Sequence, residues 1–111
     1  MQELFEAHGV KPRQARTITE NIIMAEMRGV PSHGCSRIFT HYLTMIKNQV
    51  FSLESKPVRK RITPFLTVYD GNNGFGHVSS YMAMRDSIRL SEKRGFTVVS
   101  VVNSTHFGIA S

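Results

Sequence analysis

The sequence predicts an α/β fold (α+β) in which helices come first and a strand-helix-strand unit follows. Apolar residues recur at three- and four-residue spacing over much of the first 48 residues, which is typical of amphipathic helices. A β-prone run near residue 65 and a β-branched run near residue 98 enclose a further helical pattern. Glycine and proline separate these segments, so each is expected to form its own element.

The first half of the chain is predicted to be helical over residues 1–50. A short turn over residues 4–7 precedes a helix over residues 11–28, which Pro12 starts and Gly29 ends. Its predicted buried face holds Ala15, Ile18, Ile22, Ile23, Ala25 and Met27. Ser32 is predicted to cap a third helix reaching residue 48, whose apolar stripe is Ile38, Phe39, Tyr42, Leu43 and Ile46.

Residues 51–63 are rich in Lys, Arg and Pro and are predicted to form an exposed, basic connector. Residues 64–111 are predicted to begin an α/β domain. It contains a strand over residues 65–69, a glycine-rich segment over 70–78, a helix ended by Gly95, and a strand over 96–102 buried on both faces. Two strands cannot cover each other, so either the chain oligomerises through the open sheet edge or it is the N-terminal part of a larger fold, and we expect the latter.

Composition limits the possible class of protein. The chain has 111 residues, 41% of them hydrophobic, enough for one ordinary domain with a packed core. The net charge of +6 favours anionic partners, while a single cysteine excludes an intrachain disulfide. No leader-like segment or long apolar run is present, so a cytoplasmic location without membrane contact is expected.

The segment over residues 28–37 is the strongest candidate for a site. If Ser32 caps a helix, His33 and Arg37 lie four residues apart on one face. A guanidinium can hold a carboxylate with two hydrogen bonds while an imidazole exchanges a proton with the neighbouring oxygen, which suits a 2-hydroxy or 2-oxo acid. The alternative is a capped helix with a solvated arginine.

Two loops of the second half are weaker candidates. His106 follows the second strand, and ligand sites of α/β folds often lie at strand ends, although residues 103–108 also suit a plain turn with Phe107 as an apolar anchor. The glycines at 71, 74 and 76 follow a strand, but their order differs from the dinucleotide fingerprint, and tight turns explain them equally. Histidine and cysteine spacing matches no metal motif, so no metal is expected.

A small basic module that binds nucleic acid or a protein is the alternative function. Lysines and arginines cluster over residues 56–61 and again over 85–94. Such a surface would bind phosphates in a salt-dependent manner. No nucleic-acid-binding motif and no row of aromatic residues accompanies the cluster, so we expect no nucleic-acid partner.

Three motifs together carry a family resemblance: RGVPSHGCSR, GNNGFG and VVSVVNSTHFGIA. In this order they resemble the N-terminal third of the type 2 malate/L-lactate dehydrogenase family, which includes ureidoglycolate, sulfolactate and diketogulonate oxidoreductases. The resemblance implies a fragment of the non-Rossmann L-sulfolactate dehydrogenase-like fold and an NAD(P)-dependent enzyme, a homodimer when complete, that interconverts 2-hydroxy and 2-oxo acids.

The resemblance also implies roles for four residues. His33 is the implied proton donor or acceptor with Ser32 beside it, Arg37 binds the substrate carboxylate, and His106 lies where substrate meets nicotinamide. The remaining cofactor site, for NAD or NADP, is implied to lie beyond this chain, which alone is expected to be inactive. Pro31 and Ser111 depart from the family pattern, which commonly has an acidic residue and a glycine there.

Overall fold

The computed structural model of the protein describes residues 1–110, which form two compact units. The first contains Met1–Leu53 together with the residues from Gly108 onward, and the second contains Glu54–Phe107. Each unit has its own set of buried side chains. The predicted departure at Ser111 lies outside the described residues.

The first unit is helical, as predicted. Helix α1 spans Gln2–Ala7 and α2 spans Pro12–Met27. A 3-10 turn over Pro31–His33 follows, then a π-helical segment over Ile38–Tyr42 that continues into α3, Leu43–Lys47. Pro12 is the first residue of α2, and Gly29 follows the end of α2 with φ = 72°. The two residues therefore start and end the helix as predicted.

The core of the first unit is narrower than the sequence pattern predicts. One face of α2 is fully or nearly fully buried at Ala15, Ile18, Ile22 and Ala25. Ile23 and Met27 are 41% and 77% exposed, because each lies well off that face around the helix, and Phe39 is likewise 68% exposed. The Phe5 ring meets the Tyr42 ring edge to face, with 6.3 Å between centroids, and so joins α1 to the π-helical segment.

The predicted third helix is confirmed only from Ile38 to Lys47, and the predicted cap at Ser32 is wrong. Residues 31–33 form a single 3-10 turn whose N-cap is Val30, and the Ser32 hydroxyl lies near His33 Nδ1. Gly34 then leaves the helical conformation, with φ = −93° and ψ = −145°. Helical hydrogen bonding resumes where the Arg37 N–H donates to the Gly34 carbonyl at 3.1 Å. His33 and Arg37 therefore do not share one helix.

The second unit is a three-stranded sheet with a helix against it. Strands β1 (Val58–Arg61), β2 (Leu66–Gly74) and β3 (Val98–Ser104) lie in that order, and α4 (Gly76–Arg94) connects β2 to β3. β2 and β3 are parallel, which confirms the predicted strand-helix-strand unit, and β1 is antiparallel to β2. The predicted connector thus contains a strand, whose side chains are exposed as expected, but Phe51 and Ser55 of the same connector are buried, which the prediction did not foresee.

Burial of β3 differs from the prediction. Its residues alternate between half-buried and exposed, with Val98 49% and Val102 40% exposed. Among residues 1–110, β3 pairs only with β2. Ala83 and Leu90 of α4 are buried, whereas Val98 and Val102 keep much of their surface in solvent. The β-branched run is therefore a strand, but it is not buried on both faces here.

Candidate functional site

The turn over residues 31–37 brings together three of the four predicted site residues. The Ser32 hydroxyl lies 3.0 Å from His33 Nδ1, and Arg37 Nε donates to the Ser32 carbonyl at 2.8 Å. Ser32 is exposed, while His33 and Arg37 are half-buried. The structure therefore links His33 and Arg37 each to Ser32, within a folded-back turn instead of a helix face.

Backbone hydrogen bonds hold this turn in shape. The His33 N–H donates to the Val30 carbonyl and the Gly34 N–H to the Pro31 carbonyl, both at 3.0 Å. The Ser36 hydroxyl also donates to the Pro31 carbonyl, at 2.9 Å. The imidazole and the guanidinium thus extend from a segment that is fixed on both sides of Gly34.

A carboxylate from α2 lies against the same turn. Glu26 Oε2 accepts a hydrogen bond from the Cys35 N–H at 2.9 Å. Sequence reasoning missed this residue. The one available signal is its place in the last turn of α2, where an acidic side chain opposes the helix dipole and no basic residue offsets it.

His41 and Tyr42 lie one turn beyond Arg37. Burial, and to a smaller extent the Arg37 guanidinium, lowers the pKa of His41 below its ordinary value, while burial raises the pKa of Tyr42. Both groups are therefore uncharged at neutral pH. Neither side chain therefore adds a charge beside the Arg37 guanidinium.

The fourth predicted site residue, His106, belongs to the second unit and follows β3. Its half-buried ring stacks on Phe107, with 6.0 Å between centroids and 18° between planes. The adjacent Thr105 is held by two hydrogen bonds: its N–H donates to the Gly74 carbonyl at 3.2 Å, and its hydroxyl accepts from the Gly76 N–H at 3.1 Å. The glycine-rich segment therefore fixes the backbone that carries His106.

The glycines of that segment admit other parts of the chain at close range. A Cβ on Gly71 would lie 2.7 Å from Ser104 Cβ, and one on Gly76 would lie 2.1 Å from the Thr105 carbonyl oxygen. The positive φ angles fall on Asn72 and Asn73, at 51° and 55°. The space beside Gly71 and Gly76 is filled by protein, which explains why these two positions are glycine.

Asp70 connects the two ends of this arrangement. Its Oδ1 accepts the Asn72 N–H at 2.9 Å and the Asn103 side-chain amide at 3.2 Å. The hydrogen bond from the Asn72 backbone, followed by that from Asn103, lowers the pKa of Asp70 below its ordinary value. The ionised carboxylate thus joins the glycine-rich segment to the end of β3.

Asp86 accounts for part of the basic surface. Its carboxylate on α4 is 7% exposed and accepts hydrogen bonds from Arg59 on β1, at 2.6 Å, and from Arg89 on α4. Burial alone would raise the pKa of Asp86, but the hydrogen bonds from the two arginines outweigh it and lower the pKa. These two cations have a structural partner within the unit.

Residues 1–110 contain neither a cluster of metal-ligating side chains nor a membrane-spanning helix. No group of three or more His, Cys, Asp or Glu side chains in this part of the chain could hold a metal ion. None of its helices is both long and apolar enough to cross a bilayer.

The helical unit, the strand-helix-strand sheet and the serine-histidine-arginine turn together match one class of oxidoreductase. The chain belongs to the malate/L-lactate dehydrogenase family, whose sequence profile matches residues 1–111. This confirms the family resemblance, and structural similarity to malate and sulfolactate dehydrogenases confirms the fold class.

Particular relatives show how far the similarity extends. The chain is 36% identical to malate dehydrogenase of Pyrococcus abyssi over 102 residues, which are 92% of this chain and 28% of that protein. Malate dehydrogenase of Entamoeba histolytica superposes with a TM-score of 0.94 at 39% identity, over 99% of this chain and 30% of that one. Sulfolactate dehydrogenase of Methanocaldococcus jannaschii gives 0.91 at 29%, over 98% and 31%. The chain spans about a third of these relatives' length.

Proposed function

We propose that this chain supplies the proton-exchanging and carboxylate-binding part of the substrate site in an NAD(P)-dependent dehydrogenase that interconverts 2-hydroxy and 2-oxo acids. The observation that carries this proposal is the turn that joins Ser32, His33 and Arg37 by hydrogen bonds of 3.0 and 2.8 Å. Malate and sulfolactate, the substrates in the relatives' names, are both 2-hydroxy acids and support the substrate class.

Each of the three side chains has a distinct part. The Ser32 hydroxyl at Nδ1 orients the imidazole of His33, so that Nε2 exchanges the proton with the substrate oxygen. In reduction, Nε2 gives a proton to the carbonyl oxygen of the 2-oxo acid; in oxidation it takes the hydroxyl proton. Arg37 uses Nε to bind the Ser32 carbonyl, and its two terminal nitrogens form the fork for the substrate carboxylate.

A nicotinamide cofactor, when bound, exchanges a hydride with the substrate α-carbon. His106 is the residue of this chain that we place near the nicotinamide, because its flat ring stacked on Phe107 suits contact with another aromatic ring. Close contact with residues 103–106 accounts for the glycines at 71 and 76, so these glycines do not themselves indicate a phosphate site. We therefore propose that the other cofactor contacts lie outside residues 1–111, and that the complete enzyme is a cytoplasmic homodimer.

The test uses a hybrid in which this chain replaces the matching part of the Pyrococcus abyssi enzyme. Arg37→Lys keeps the charge but loses the fork, so it should chiefly raise KM for 2-oxo acids. His33→Ala should lower kcat by about 10²–10⁴-fold, the usual contribution of a general acid or base. Exposed residues of the same kinds, changed as Arg13→Lys and His8→Ala, serve as matched controls.

The two variants fail in different ways if the proposal is correct. A His33→Ala hybrid with near-normal kcat would show that His33 is not the proton carrier and would make His106 the better candidate. An Arg37→Lys hybrid with the KM of its Arg13→Lys control would remove the assigned carboxylate site. Either result contradicts the roles proposed for His33 in proton exchange and for Arg37 in carboxylate binding.

A further inference from the structure

We propose that Glu26 is a positioning residue for His33, because its carboxylate holds the turn on which the imidazole stands. The inference rests on the proposed function, since it assigns a further role at the same site. It does not make Glu26 a catalytic residue: no contact with substrate is invoked. It states that α2 sets the position of the proton-exchanging group through one side chain.

The first observation is the hydrogen bond from the Cys35 N–H to Glu26 Oε2, at 2.9 Å and nine residues apart in sequence. Around the end of α2 the backbone is already fixed, because the Gly29 N–H donates to the Glu26 carbonyl and the Val30 N–H donates to the Ala25 carbonyl. The Glu26 side chain then spans from this fixed helix end to the middle of the turn. A charge-assisted hydrogen bond of this kind is stronger than one between neutral groups.

The second observation is the glycine at position 34. Its φ of −93° lies outside the left-handed region, so the backbone angle does not explain the residue type. Close contact with Glu26 explains the glycine, because a Cβ at this position would lie 1.9 Å from Glu26 Oε2 and 3.0 Å from Glu26 Cδ. Gly34 is buried, whereas Glu26 is exposed. The position of the Glu26 carboxylate therefore explains why residue 34 is a glycine, and the missing side chain at Gly34 leaves room for that carboxylate.

The turn that Glu26 holds carries both functional side chains. Gly34 and Cys35 lie between His33 and Arg37 in sequence. The Gly34 carbonyl accepts the Arg37 N–H and the Cys35 carbonyl accepts the Ile38 N–H, both at 3.1 Å. A displacement at Gly34 would thus move the imidazole on one side and the guanidinium on the other. Proton transfer tolerates a misplacement of only about 0.5 Å, so this control matters for the reaction.

Hydrogen exchange and side-chain nitrogen NMR on the full 111-residue chain test the proposal. Glu26→Ala removes the acceptor, and the Cys35 amide should then exchange about 5–10-fold faster, as expected for one lost hydrogen bond. The ring nitrogens of His33 should shift toward the average of the two tautomers, because Ser32 no longer holds a fixed ring. Glu26→Gln keeps an oxygen acceptor and should recover most of both signals.

Two further variants separate positioning from general stability. Glu20→Ala removes another exposed carboxylate of α2, one that pairs with Arg16 at 2.7 Å, and should change neither signal. Gly34→Ala should displace the Glu26 carboxylate and reproduce the Glu26→Ala effect. The double variant should be no worse than either single variant, because both changes break the same contact.

The proposal is overturned if Glu26→Ala matches Glu20→Ala in the Cys35 and His33 signals, or if the two losses add in the double variant. Should Glu26→Ala fail to fold, Gly34→Ala alone decides the question by the same two signals. Failure of the proposed function is a different result: it is seen in the kinetics of the His33 and Arg37 hybrids and leaves these NMR signals unaffected.

Discussion

Replacing Gly76 with alanine sets two physical effects of opposite sign against each other. Gly76 is the first residue of α4, and its φ is not positive, so helix propensity and the lower entropy of the unfolded chain favour alanine by up to about 1 kcal/mol. The added methyl group would, however, lie 2.1 Å from the Thr105 carbonyl oxygen and 2.5 Å from that of His106.

The structural cost should exceed the gain. Cβ atoms essentially never approach within 3.0 Å of another heavy atom, so the backbone at Thr105 must retreat by about 0.9 Å. Thr105 is bound by two hydrogen bonds, to the Gly74 carbonyl and from the Gly76 N–H, which that movement would break or lengthen. Overpacking and weakened hydrogen bonds together should lower the free energy of unfolding by about 2–4 kcal/mol.

Urea unfolding and thermal unfolding of the full chain measure this effect. We expect the Gly76→Ala midpoint to fall by roughly 10–20 °C, since 1 kcal/mol shifts a domain of this size by about 4–8 °C. Gly95→Ala, at the other end of α4, is the matched control: its methyl group meets no atom within 4 Å and is strained only by φ = 84°, so it should cost about 1 kcal/mol. A Gly76→Ala chain as stable as the wild type, or more stable, would refute the reasoning.

Three further predictions concern the Asp86 ion pairs, the core of the first unit and the activity of the isolated chain. Asp86→Asn should lower the free energy of unfolding by about 1–3 kcal/mol, because it weakens two ion pairs at a largely buried carboxylate. Since the pKa of Asp86 is lowered from 3.8, its stabilisation is complete above about pH 4 and is lost as the pH falls below that value, so the variant should show a shallower acid transition in circular dichroism. Ile22→Ala, at a fully buried site of α2, should cost about 2–4 kcal/mol in urea unfolding, and a loss under 1 kcal/mol would contradict the assigned core. The purified chain should neither reduce NAD(P) with malate nor bind duplex DNA at physiological salt, as checked by absorbance at 340 nm and a salt titration. Turnover above a heat-treated control would contradict the inactivity of this chain alone, and binding that weakens steeply as salt is raised would favour the nucleic-acid-binding alternative.

Much of the fold could be predicted because local patterns specify it. The helix from Pro12 and the end of α4 at Gly95 follow from residues whose conformational preferences are strong. The burial of individual side chains was harder to predict, because it depends on which other parts of the chain pack against them. Val98 and Phe39 have apolar side chains in an apolar pattern, yet both are largely exposed.

In the candidate site, too, local features could be predicted from the sequence, whereas contacts between distant residues could not. Spacing predicted that His33 and Arg37 share a helix face, whereas the structure has a turn in which each of them is hydrogen-bonded to Ser32. Contact between Glu26 and Cys35 could not be predicted, since it joins the end of one element to the middle of another. Nothing in the sequence indicates why positions 71 and 76 are glycine. A tight turn is the explanation that the sequence suggests, whereas in the structure the close approach of residues 103–106 requires them.

The parallel pairing of β2 and β3 also has a consequence for how the chain folds. Thr97 donates to the Phe65 carbonyl across 32 residues, so this contact closes only after the whole of α4 has been brought back along the sheet. Helices of the first unit form through contacts between near neighbours, which fold faster than distant ones. Completion of the sheet should therefore limit the folding rate, and until β3 pairs with it, strand β2 stays unpaired along one side and open to association with other chains.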